Sequence, residues 1–396
     1  MHSHPEAEKP PAGSISDPLR RADSGPATPP GLLVPEYPFV GAMSGVIVAT
    51  EHICVDVPLT PHQASILPAT HRQVCPVYST PPHFPRPHST PPAYCPLPPT
   101  PSRPRSCCAQ YCIQHLVSVT LDSGVVGWGE GSEYAGQTSD ETLASVVGKR
   151  AAELMWDDSI GTNLQMALFD AVGKELGVPV HQLLPNAQVR DWVALSWWCH
   201  SNAPSEWAEE ARLATAAGYT TCKYKARPWW DIVEQVKAVT EAVDDRFVMD
   251  LDFNMTLQDA ANALPVLKAL EGFSNVGMIE SPIPQEDLKG NRQLRSAQSK
   301  PVAMHFGNPS FLTAVEHGVC DAFVVGGGAS ALLRTGALAA EANMPCWLQL
   351  VGSGITTVWA AHFASVLEAA SWPAITAMNI LESQLLAEPI DMIGGL

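Results

Sequence analysis

Four short stretches of the chain carry groups that can do chemistry, and they recur at even intervals. Lys223-Tyr224-Lys225 comes first, then Asp250-Leu251-Asp252-Phe253-Asn254, then Glu280 and finally His305. Residues two apart on a strand face the same side, so Lys223 joins Lys225, and Asp250 joins Asp252 and Asn254. If each stretch ends one strand of a closed parallel sheet, two ammonium groups face a ring of carboxylates and one imidazole across a narrow space. Crowded carboxylates repel one another unless a cation sits among them, and a divalent metal is the natural occupant.

The surrounding elements suit that placement. After Val189, short β-branched or aromatic runs alternate with amphipathic segments. Strands are expected at 192–197, 220–224, 247–252, 276–279, 301–305, 322–325, 346–350 and 375–379, with helices such as 205–217, 231–243, 257–270, 330–342 and 357–370 between them. This rhythm describes an α/β chain with a (β/α)8 TIM-type barrel. A doubly wound sheet would carry a G-x-G-x-x-G loop after its first strand, and there is none. In such a barrel the chemistry lies at the C-terminal strand ends, where the four stretches fall.

Ahead of the barrel, strands at 45–57, 113–121 and 125–128 precede helices at 139–154 and 163–176, which describes an N-terminal α+β capping domain. Residues 1–40 are polar, Pro-rich and expected to be disordered. The cap then spans 41–190, with a Pro-rich insertion at 70–108; from Pro76 to Pro104 there are 12 prolines in 29 residues. Such a stretch sustains neither a helix nor a hydrogen-bonded ladder and is expected to lack regular structure. The barrel covers 191–380, and a tail, 381–396, packs toward the cap.

The motifs CKYK (222–225), MDLDFN (249–254) and MIESP (278–282) resemble, in order and spacing, those of the mandelate racemase and muconate lactonizing enzyme group of the enolase superfamily. DSGVVGWGEG (122–131) and NLQMALFDAVGKELGVPVHQLL (163–184) resemble that group's capping-domain signatures. The resemblance spans about residues 45–69 and 110–390. It implies metal ligation by Asp252 and Glu280, a base at Lys225 with Lys223 beside it, and support from Asn254. It also implies abstraction of a proton next to a carboxylate through an enediolate, chemistry for which this superfamily is a standing general example.

The departures from the family pattern narrow the chemistry. At the third, normally acidic, ligand position stands His305, which turns the implied cofactor from Mg2+ toward another divalent ion such as Mn2+. On the sixth strand the family's Lys is replaced by the run Val324-Val325-Gly326-Gly327-Gly328, and on the seventh Gln349 stands where a His would pair with an Asp. With no second base, the expected reaction is a one-base, dehydratase-like lyase or isomerase reaction on a small hydroxy or sugar acid. The alternative is a catalytically degraded, non-enzymatic relative. Gly326–Gly328 and Gly352-Ser353-Gly354 are read first as turns and second as backbone cradles for an anion.

Bulk composition excludes some classes of partner. The net charge of -17 over 396 residues argues against nucleic acid or an anionic membrane as the main partner. No apolar run reaches the ~18 residues of a spanning helix, and no secretory pattern opens the chain. A soluble, cytoplasmic homo-oligomer is expected. The ten cysteines are scattered without a CxxC pair, the pattern of free thiols rather than of a zinc site.

Overall fold

The computed structural model describes residues 45–57, 59–63, 109–132, 135–390 and 392. The expectations for residues 1–40 and 70–108 lie outside these.

Strands β1 (Ile47–Asp56), β2 (Ile113–Leu121) and β3 (Val126–Ser132) form an antiparallel sheet in chain order. A turn closed by the Leu121 N–H on the Val125 carbonyl joins the last two. A short helix, α1 (Ala109–Cys112), leads into β2, and α2 (Asp140–Val146), α3 (Ala151–Leu154) and α4 (Thr162–Leu176) follow β3. The single helix expected over 139–154 is two helices. Between them the Gly148 N–H bonds the Ile47 carbonyl, and the Ile47 N–H bonds the Lys149 carbonyl, so a tertiary contact with β1 overrides local helical preference. Helix α4 lies directly on β2 and β3. A side chain at Gly129 would run into the backbone of Asn163, so only glycine allows this approach.

The second sheet is parallel, has seven strands and is curled. Its strands are β4 (Trp197–Cys199), β5 (Thr221–Lys225), β6 (Val248–Asp252), β7 (Val276–Glu280), β8 (Val302–His305), β9 (Ala322–Val325) and β10 (Cys346–Leu348), paired in chain order. They alternate with α5 (Pro204–Ala216), α6 (Ile232–Ala242), α7 (Ala260–Leu270), α8 (Leu288–Ala297), α9 (Phe311–His317), α10 (Ala329–Glu341) and α11 (Gly354–Val366). Helix α6 shows why such segments fold: the Asp231 carboxylate accepts the Val233 and Glu234 N–H groups, and Ile232, Val236 and Val239 make one buried stripe. Asp259, Asp287 and Ser310 cap α7, α8 and α9 in the same way.

At the sheet's two edges the expected strands shrink. Leu195 makes a single parallel bridge to Ala374, and Gln349 one to Ile375, so residues 374–375 touch both edges without forming a strand of their own. Ala377 takes a left-handed conformation, φ 60°, and turns the chain into a short 3-10 segment at Met378–Ile380, which ends the run expected over 375–379.

Helices α10 and α11 begin without a capping side chain of their own. Residues of the N-terminal half serve them. Glu130 on β3 accepts the N–H groups of Ser353 and Thr356, and Asp158 accepts those of Ser330 and Ala331. Among the described residues no helix is long and apolar enough to cross a membrane. Cys199, Cys222, Cys320 and Cys346 carry free thiols.

Candidate active site

Register sets the site. Lys225 pairs across β5 and β6 with Asp252, and Asp252 pairs across β6 and β7 with Glu280, so three charged residues stand in one row at the carboxyl ends of neighbouring strands. His305 ends β8 two residues beyond Ala303, the partner of Glu280. One layer deeper, Lys223 pairs with Asp250. The sheet thus brings Lys223, Lys225, Asp252, Glu280 and His305 together.

Their side chains form a continuous ionic chain. Lys225 Nζ lies 2.6 Å from Asp252 Oδ2 and 3.3 Å from Asn254 Oδ1. Lys223, fully buried, reaches Glu280 Oε2, lies 2.6 Å from Gln349 Oε1 and 3.3 Å from Asp252 Oδ2. His305 Nε2 stands 3.1 Å from Glu280 Oε1 and is half exposed. The Asn254 N–H donates to Asp252 Oδ1 at 2.8 Å. Asn254 itself holds a positive φ of 44°, a strained turn that keeps its side chain at the strand end.

Charge and burial split the groups. Burial alone would push the Lys223 ammonium down, but Asp252 and Glu280 outweigh it and hold that group above its ordinary value. Asp252 is the converse case: burial pushes it up, and Lys223 and Lys225 bring it well below the usual carboxylate range. Lys225 is lowered, first by burial and then by the Lys223 charge, against the pull of Asp252. Asp250 is buried with neither carboxylate oxygen hydrogen-bonded, and burial followed by Glu280 raises it well above its ordinary value.

Three residues that the sequence reading left out border Lys225. Trp198, in the middle of β4, presents its ring 5.9 Å from Lys225 Nζ and meets His200 edge-on at 4.3 Å. Burial, then the Lys225 and Arg227 cations, push the His200 imidazole down to about 3, so it is neutral. Arg227 donates to the carbonyls of Ala226 and Asp252 at 2.7 and 2.8 Å and to Asn254 Oδ1. Its position, two residues past Lys225, was a readable signal: it continues the alternation of Lys223 and Lys225. His200 had no such signal, being a single histidine at a strand whose boundary was misplaced.

The glycine-rich loops do cradle anions, and the anions are the chain's own. Glu130 fills the loop at Gly352-Ser353-Gly354, at 2.6 Å from the Ser353 N–H and 2.8 Å from that of Thr356. Asp158 and Gln165 occupy the start of α10 beside Gly328. Both helix N-termini, which suit negative charge, are spent on docking the N-terminal half.

Residues 206–396 match the Enolase C-terminal domain-like family. Residues 206–396 belong to the enolase superfamily, in its mandelate racemase and muconate lactonizing enzyme group. It is 25% identical over 215 residues to N-succinyl-L-Arg/Lys racemase of Bacillus cereus, a match covering 48% of this chain and 58% of that protein. It is 28% identical over 222 residues to D-galactonate dehydratase of Variovorax paradoxus, covering 48% and 56%. The chain therefore spans less than two thirds of the length of these relatives. A crystal structure of an enolase from Thermobispora bispora complexed with magnesium and formate shares the fold, with a TM-score of 0.65 and 17% identity over 89% of this chain and 87% of that one.

Within this superfamily Asp252, Glu280 and His305 are the candidate metal donors. Among the described residues no three His, Cys, Asp or Glu side chains are gathered as a ready metal site. Instead each oxygen of Asp252 and Glu280 is turned to a donor of the chain: Lys223, Lys225, His305 or the Asn254 N–H. The Lys223 ammonium lies between the Asp252 and Glu280 carboxylates, which share this one cation. By type, two carboxylates and an imidazole fit a divalent ion, and the imidazole moves the preference from Mg2+ toward Mn2+.

Proposed function

We propose that the chain is an enzyme that removes a proton next to the carboxylate of a small hydroxy or sugar acid, with Lys225 as the base. The observation that carries this reading is the row Lys225, Asp252 and Glu280 at the carboxyl edge of the parallel sheet, with the Lys225 side chain still 17% exposed. A base needs access to substrate, and among the two lysines Lys225 alone has it. In this reading the curled sheet is a closed (β/α)8 barrel with residues 374–376 as its eighth stave, the cap runs from 41 to 190, and the barrel from 191 to 380.

Asp252, Glu280 and His305 would hold a divalent ion, Mg2+ or Mn2+, which when bound supplies positive charge to the substrate carboxylate as the proton leaves. The chain's residues do the rest. Asp252 and Asn254 hold the Lys225 amine at the strand end, while burial and Lys223 weaken its grip on a proton, so that the neutral form is reachable. Lys223 stays charged, fixing Glu280 and Gln349. Gln349 and Gly326 offer no proton carrier, so a proton taken by Lys225 returns from Lys225 or leaves with a departing hydroxyl. That favours loss of water over two-base racemisation. Relatives that are racemases and dehydratases support the enzymatic reading over a degraded, non-catalytic one.

The test is incubation of the protein with Mn2+ or Mg2+ and a panel of hydroxy and sugar acids, with detection of 2-keto acid products. Formation of keto acid from at least one member, lost in Lys225→Met, is the expected outcome. A panel that stays unchanged throughout would sink the reading.

A further inference from the structure

Arg227 is the cation at this site that the reaction does not use. Every charge of the row below it is matched: Lys225 by Asp252, and Lys223 by Asp252 and Glu280. Arg227 makes no ion pair within 4 Å among the described residues, in a chain with 40 acidic against 23 basic residues. Its charge helps to lower the Asp252 carboxyl, but no carboxylate of the described residues lies in contact with it, so its guanidinium can still take an anion from outside.

Its geometry says which kind. Nη1 is held by two backbone carbonyls, those of Ala226 and Asp252, and one Nη2 hydrogen goes to Asn254 Oδ1. The Nε–H and the second Nη2–H have no acceptor among the described residues. An arginine with two such N–H groups to spare can grip a carboxylate through charge-assisted hydrogen bonds. The fork is also fixed in advance, because three of its five N–H groups are already anchored, so little entropy is lost on binding. Arg227, partly buried, is close to the base, since Lys225 and Arg227 both donate to the same oxygen of Asn254.

We infer that Arg227 binds a second carboxylate of the substrate, making the preferred substrate class a short hydroxy diacid. One carboxylate lies at the Asp252–Glu280 centre with its neighbouring proton at Lys225, and the other lies on the spare N–H groups of Arg227. This rests on the proposed function for which carboxylate reacts, but not for the existence of the anion site.

The experiment is calorimetric titration of the full chain with malate and 2-hydroxyglutarate against lactate and 2-hydroxybutyrate at matched ionic strength. The diacids should bind about 10- to 100-fold more tightly than the monoacids, the range of a charge-assisted bidentate contact. Arg227→Met should level that ratio and Arg227→Lys restore part of it, which a purely structural role would not do. Equal affinity for mono- and diacids in the wild type, or a ratio untouched by Arg227→Met, overturns the inference. Solvent deuterium exchange on the same samples separates the two ideas. Exchange without diacid preference leaves the function and removes this site; preference without exchange does the reverse.

Discussion

The Glu130 carboxylate, on the last strand of the antiparallel sheet, accepts the Ser353 N–H at 2.6 Å and so plugs the N-terminus of the helix that follows the last strand of the parallel sheet. Two halves of the chain are thereby docked by a buried carboxyl group at a helix N-terminus. Replacing Glu130 with Ala leaves the N–H groups of Ser353 and Thr356 without an acceptor, and should cost about 1–3 kcal/mol at neutral pH, read by urea denaturation.

The same residue predicts a pH dependence. Burial raises the Glu130 carboxyl above its ordinary value, against the hydrogen bonds from Ser353 and Thr356. A raised acid holds its proton more tightly when folded, so the folded state gains stability as pH falls through the raised value and loses it as pH rises. Wild type should therefore gain on Glu130→Ala between about pH 7 and about pH 5. Melts in which the gap widens in favour of the variant as pH falls would show that Glu130 is stabilised as the anion.

Gly328 tests the second docking point. A methyl group there would collide with the Asp158 carboxylate and the Gln165 amide, which together cap the start of α10. Gly328→Ala should lower stability by roughly the value of a lost cap, about 1–2 kcal/mol. Asp158→Ala should produce a similar loss, and the double variant little more than either alone. Full additivity in the denaturation curves would mean that the two act separately.

How much of this was legible in the sequence depended on range. The row of Lys225, Asp252 and Glu280 could be read because each residue ends a strand whose own pattern announces it. Lys223 followed from alternation alone. The docking by Glu130 and Asp158 could not be read, since each contact joins residues more than 170 positions apart and rests on helix ends rather than on a side-chain motif. The break at Gly148 was hidden for the same reason: its partner is Ile47, far back in the chain. The edge strands were overextended because single bridges such as Leu195 to Ala374 look, in a β-rich run, like whole strands.

Lys223 should matter for stability more than Lys225. Lys223→Met strips the buried Glu280 and Asp252 of their shared cation, a loss on the order of 3–5 kcal/mol. If that ammonium stands where a divalent ion can be held, millimolar Mn2+ should raise the melting temperature of Lys223→Met more than that of wild type. Absent shifts in both proteins would mean that the carboxylates do not take a metal, and equal shifts that the Lys223 ammonium does not stand in the metal's place.

Proton abstraction by Lys225 is the centre of the account, and solvent exchange reads it directly. Wild-type protein with Mn2+ and a bound 2-hydroxy acid in deuterated buffer, followed by proton NMR, should lose the signal of the proton next to the carboxylate. Lys225→Met, folded and still able to bind the acid, should leave that signal intact. Exchange that persists in Lys225→Met would contradict the assignment of the base.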